Sequence, residues 1–146
     1  MTAFATNDAE EITAEYYRLY DAEDRGEFER ANYYLPNSWL HYDGKDYMGG
    51  QAVVKFLKSQ PQAKHTYRKV SGVAIGPTAM SVLILGDMEV EGSPPRKFAQ
   101  HWYISRARII VDMLNFFDDE ADAAAKGIKL APMNAQDAKD FHDTKP

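Results

Sequence analysis

The chain has 146 residues, no cysteine and a formal net charge of −5, with 45% of residues hydrophobic and 27% charged. That length gives one domain with a real core, the missing thiols exclude disulfides, thiolate catalysis and cysteine zinc sites, and the acidic balance excludes a broad basic face for nucleic acid. No stretch approaches twenty apolar residues and the N-terminus is acidic rather than basic-then-apolar, which predicts a soluble, intracellular chain with no membrane insertion.

A first helix is predicted over 8–23, capped by Asn7 with Glu10 three residues on. Ile12, Tyr16, Leu19 and Tyr20 fall on one of its faces. A second, short helix carries Phe28, Ala31 and Leu35 and stops at Pro36. Residues 38–43 read as a strand turning at Asp43-Gly44. Gly49-Gly50 then opens a third helix with Ala52, Val53, Phe56 and Leu57 as its apolar stripe, ended by Pro61.

Four long β-patterned segments follow, over 64–76, 79–91, 96–105 and 108–118. Ordinary strands run about five or six residues, so segments of ten or more imply a large, twisted, bent antiparallel sheet. Residues 82–87 are apolar on both faces, as in a central strand. Phe98, Gln100, Trp102 and Ile104 share one face of the third segment; Lys97, Ala99, His101 and Tyr103 share the other. Three helical stripes supply apolar surface for one sheet face and leave the second as the place to seek function. Nine Tyr, seven Phe and two Trp exceed the need of one small core and point to a pocket or an interface. Residues 1–120 form the domain on this reading, and 121–146 a polar extension, partly helical or disordered.

The order of elements, together with specific residues, resembles the nuclear transport factor 2 family. Tyr16-Tyr17-Arg18-Leu19-Tyr20-Asp21 is similar to its first-helix signature. Tyr42-Asp43-Gly44 with Gly50 resembles its strand end and third-helix start. Phe98, Gln100 and Trp102 fit its Phe-x-Gln-x-aromatic run, and residues 112–118 its closing strand. The resemblance spans roughly 11–119 and implies an α+β, cone-like fold in which three N-terminal helices pack against a long, strongly bent antiparallel β-sheet.

It also implies a non-enzymatic nucleocytoplasmic transport factor moving between nucleus, nuclear pore and cytoplasm. The hairpin at Glu91–Gln100 and the ending Phe116-x-Asp118 are most similar to the small subunit of a heterodimeric mRNA export receptor. In that role Phe98, Gln100, Trp102 and Phe116 would bury against a homologous domain of the large subunit, and the pair would meet phenylalanine-glycine nucleoporins. Equally, those side chains could fill the chain's own core. The alternative is a homodimeric carrier of GDP-bound Ran, in which Tyr42 and Leu114 wall a hole for an aromatic side chain beside Asp43 and Glu91. The same two acids also suit turn chemistry.

A third branch of the resemblance is enzymatic, isomerases and dehydratases using the cone interior. Its acid–base candidates here are His41 with Asp43, His65, His101 and Asp112. The histidines are too scattered for a metal set, and no phosphate-binding glycine loop occurs, so no cofactor, metal or catalytic residue is assigned.

Overall fold

In the computed structural model, which describes residues 11, 13, 14, 34–61, 63–77, 79–105 and 108–144, six strands form one sheet. In chain order the elements are β1 (Tyr34–Tyr42), β2 (Lys45–Met48), α1 (Gly50–Ser59), β3 (Ala63–Ala74), β4 (Ala79–Val90), β5 (Arg96–Ser105), β6 (Arg108–Phe117), α2 (Glu120–Ala125) and α3 (Ala135–Thr144). Across the sheet the order is β2-β1-β6-β5-β4-β3. The β3 to β6 meander is antiparallel, and each of its strands lies within two residues of the bounds expected from period-two alternation.

The expected architecture needs correction. The sheet is not antiparallel throughout, because β1 runs parallel to β6, pairing Tyr42 with Leu114. Nor do the described residues show three N-terminal helices stacked on it. Among the described residues one helix, α1, lies between β2 and β3, and two follow the last strand. Of the first expected helix, Glu11, Thr13 and Ala14 are described and helical; the remainder, with the second helix up to residue 33, lies outside the described residues. Leu35, assigned to that second helix, is instead in β1, whose register shifts between Tyr34 and Trp39. The reason is Pro36, which disfavours helical geometry in the residue before it and is tolerated in a strand at an irregularity.

Two glycines decide local geometry. At the β1–β2 hairpin both central residues have positive φ, 46° at Asp43 and 93° at Gly44, which is the two-residue turn whose twist matches the strands. In β4, a Cβ on Gly86 would sit on the Thr66 carbonyl and meet Cε1 of Phe98 at 3.0 Å. The backbones approach so closely because β3 shifts register between Tyr67 and Lys69.

Alternation sorts the meander into two apolar layers. Val82, Ile84, Phe98, Trp102, Leu114 and Phe116 face inward and pack with Tyr34, Leu40, Val53 and Val54. Their neighbours of opposite parity, Ala99 and Phe117, form a second cluster with Ala123, Leu85, Ile128 and Leu130. The segment after β6 therefore lies on the outer face of the sheet, and Met133 is fully buried there.

Candidate functional site

The residues proposed for a partner hole meet where β1 ends. Tyr42 stands opposite Leu114, the Asp43 amide donates to the Leu114 carbonyl at 2.8 Å, and Asp43 Oδ1 accepts from the Phe116 amide at 3.4 Å. The turn acid thus ties β1 to β6 while its side chain stays at the surface. Tyr42 contacts Phe116 edge-on at 6.0 Å and Phe56 at 5.2 Å, and Phe56 stacks on Tyr47 at 4.0 Å. Arg96 lies over the Phe116 ring, 3.9 Å from its centroid. Burial, reinforced by the Asp43 carboxylate, pushes the Tyr42 phenol above its usual value, so the hydroxyl stays a neutral donor. Its contact with Met88 Sδ, at 3.9 Å, is a weak one.

Of the four residues proposed for this hole, Tyr42, Asp43 and Leu114 are adjacent. Glu91 is exposed on the β4–β5 turn leading to Arg96, and Leu114 is 3% exposed, part of the core rather than of the surface. Phe56, Tyr47 and Arg96 complete the site. Sequence reading assigned none of them to it, although the α1 stripe already contained Phe56.

Phe98, Gln100, Trp102 and Phe116, expected to meet a partner sheet, sit on the inner face with exposures of 0%, 3%, 0% and 5%. Period-two parity puts them together, as expected, but parity does not say which face α1 and β1 will cover. Gln100 is held there by chemistry as well. Its Nε2 donates to Asp112 Oδ1 at 3.0 Å, and the Tyr34 hydroxyl donates to Asp112 Oδ2 at 2.8 Å. A carboxylate 1% exposed is tolerable only because such donors replace its water.

The other acid–base candidates are similarly engaged. His41 Nδ1 donates to Asp46 Oδ1 at 2.8 Å, its Nε2 accepts from the Gly44 amide at 3.3 Å, and Trp39 Nε1 shares the same Asp46 oxygen at 3.0 Å. His41 and Asp43, paired on strand parity, therefore bond elsewhere. His65 packs against Phe98 at 5.9 Å. His101 lies on the outer face, where its Nε2 donates to the Ala131 carbonyl at 3.1 Å and burial holds its pKa below the ordinary range. Among the described residues no group of three or more His, Asp or Glu is placed to hold a metal. An open cleft of about 1020 Å³ lies where Tyr34, Gly49, Lys55, Lys58 and Arg108 meet, and its described lining contains no carboxylate.

Comparison with known proteins places the fold. A family model described as nuclear transport factor 2 (NTF2) domain matches residues 9–116. No curated protein matches the chain. Among solved structures, nuclear transport factor 2 from Cryptosporidium parvum is 17% identical with a TM-score of 0.62, over 74% of this chain and 90% of that one. The yeast deubiquitinase Ubp3 and Bre5 cofactor complex contains a chain 16% identical with a TM-score of 0.62, over 77% of this chain and 99% of that one. A putative polyketide cyclase from Sinorhizobium meliloti is 12% identical with a TM-score of 0.59, over 72% and 94%. At these identities the likeness is one of fold.

Proposed function

This chain belongs to the nuclear transport factor 2 domain family, and from that premise we propose that it is a non-catalytic transport factor that docks an aromatic side chain of a protein partner at the aromatic cluster where β1 ends beside β6. The fold alone does not choose this role, since its neighbours include a transport factor, a protein in a complex and a putative cyclase. The observation that carries the reading is the half-buried Tyr42 set among Phe116, Phe56 and Tyr47, with Asp43 and Arg96 as charged flanks. An aromatic anchor in an apolar seat with charges at the rim is how a small interface gains both affinity and orientation. Against catalysis stand the bonds of the buried Asp112 and His101 and of the partly exposed His41, all of them structural.

Two partner assignments fit this seat. As the small subunit of an mRNA export receptor, the chain would offer it to phenylalanine-glycine nucleoporins, each contact weak and summed by multivalency. A large subunit would then have to use another surface, since Phe98, Gln100, Trp102 and Phe116 are core and the segment after β6 covers Ala99, Val111 and Phe117 on the outer face. As a carrier of GDP-bound Ran, it would take an aromatic of Ran at the same seat. The adjacency of Tyr42, Asp43 and Leu114 favours this second assignment. Affinity capture with the tagged full chain and with Tyr42→Ala separates them. A large export receptor recovered at one-to-one supports the first; Ran recovered with GDP and lost with GTP supports the second. Partner recovery that Tyr42→Ala leaves unchanged removes the seat from the reading.

A further inference from the structure

The segment after β6 is polar in composition, yet it covers the outer sheet face closely. Leu83, Ala99 and Val111 are buried there, with Met133 and Ala138 of the segment against the sheet side. It is fastened at its start, where Lys97 Nζ donates to the Asp118 carbonyl and Lys126 Nζ to that of Phe116, each at 3.3 Å. The Asp119 side chain caps α2 by accepting from the Asp122 amide at 2.8 Å. Further on, Lys129 and Asp137 pair at 2.6 Å within the segment, and His101 of the sheet bonds to the Ala131 carbonyl. His101 is thus a titratable group of the sheet sealed beneath the segment, 3% exposed.

We propose that residues 119–144 are a pH-sensitive strap over the outer sheet face, latched by His101 and released when its imidazole takes up a second proton. This goes beyond the partner seat, lies on the opposite face of the sheet, and does not depend on that reading. In the latched state the ring donates from Nε2, so the incoming proton must go to Nδ1. His101 faces Leu83 on β4 and Met113 on β6, with Ala99 and Tyr103 flanking it on β5; Tyr103 is the one titratable group among these four. From the strap come Lys129, which disfavours the added charge, and Asp137, which favours it but is bonded to Lys129. Burial is the largest cause and opposes the cation, outweighing the hydrogen bond to the Ala131 carbonyl, which favours it. The sign follows by linkage. A histidine whose pKa is lowered in the closed state stabilises closure fully above its ordinary value of 6.5, and that stabilisation is lost as pH falls below 6.5 toward the lowered value.

The test is amide exchange of the full chain from pH 8 to pH 5, corrected for intrinsic rates. Protection over residues 128–138 is expected to fall by up to about tenfold per pH unit below 6.5 while β4 and β5 hold. In His101→Gln, which keeps a donor but cannot charge, the same region should be flat with pH. Flat protection in the natural chain, or an equal fall in His101→Gln, overturns the proposal. Should His101→Gln not fold, the His101 titration is followed by NMR in Met133→Ser, which loosens the strap. Movement of that titration up toward 6.5 supports the strap as the element that seals the ring, and an unmoved titration overturns it.

Discussion

Gln100 and Asp112 are joined by a 3.0 Å hydrogen bond inside the protein, across the β5–β6 ladder and two residues out of direct register. The amide that sequence parity offered to a partner is spent on a buried carboxylate. Gln100→Leu removes the donor and leaves the acceptor, which costs about 1–3 kcal/mol. The denaturant midpoint should drop accordingly with an unchanged slope, and a midpoint unaltered within error would remove this bond from the account.

Trp102 is fully buried on the same face. Trp102→Glu is therefore expected to prevent folding, since it both empties a large volume and buries a charge; truncation of such a side chain alone costs about 3–5 kcal/mol. Circular dichroism of the isolated variant checks this. A folded variant that has merely lost a partner would return Trp102 to an interface.

At the partner seat, Asp43→Lys should leave the fold nearly intact, because the backbone bond from residue 43 to the Leu114 carbonyl remains and the side chain is exposed. Partner capture should fall at least tenfold. Loss of the thermal transition instead would make Asp43 a structural clamp and nothing more.

Tyr42 supplies a pH prediction. Its phenol is raised above 10.0, first by burial and then by Asp43, so the folded state prefers the neutral form. Stability from this residue is complete below pH 10 and is lost as pH rises through the raised folded value. Ultraviolet titration should show a delayed tyrosinate step, which Asp43→Asn moves to lower pH; a step indifferent to Asp43→Asn would contradict the electrostatic contact.

Gly86→Ala tests the close approach of β3 to β4. Its methyl group would press on the Thr66 carbonyl and the Phe98 ring, and overpacking of this kind costs about 1–3 kcal/mol. A neutral melting temperature would mean that the β3 irregularity relaxes freely.

Much of this was legible from the residues. Strands β3 to β6 could be bounded because alternation has a period of two and each segment advertises it locally, as Phe98, Gln100, Trp102 and Ile104 do. The Asp43-Gly44 turn was equally local, since the backbone it needs favours those residue types. The short strand β2 has no such signal, because four residues are too few to show alternation. The covering of the outer face does have a signal in the sequence. Residues 82–87 are apolar on both faces, and a two-sided strand requires cover on both.

The sequence by itself determined which side chains share a face, where the long strands turn, and that cysteine chemistry is unavailable, because all of these follow from local spacing or composition. Only the tertiary structure decided which face is the interior. Burial of Phe98 and Trp102 depends on α1 and on the parallel pairing of β1 with β6, a contact between residues some seventy positions apart that no local pattern encodes. The same long-range packing turned His101 from a candidate base into a sealed contact under residues 119–144, since a side chain's chemistry is set by what the rest of the chain places over it.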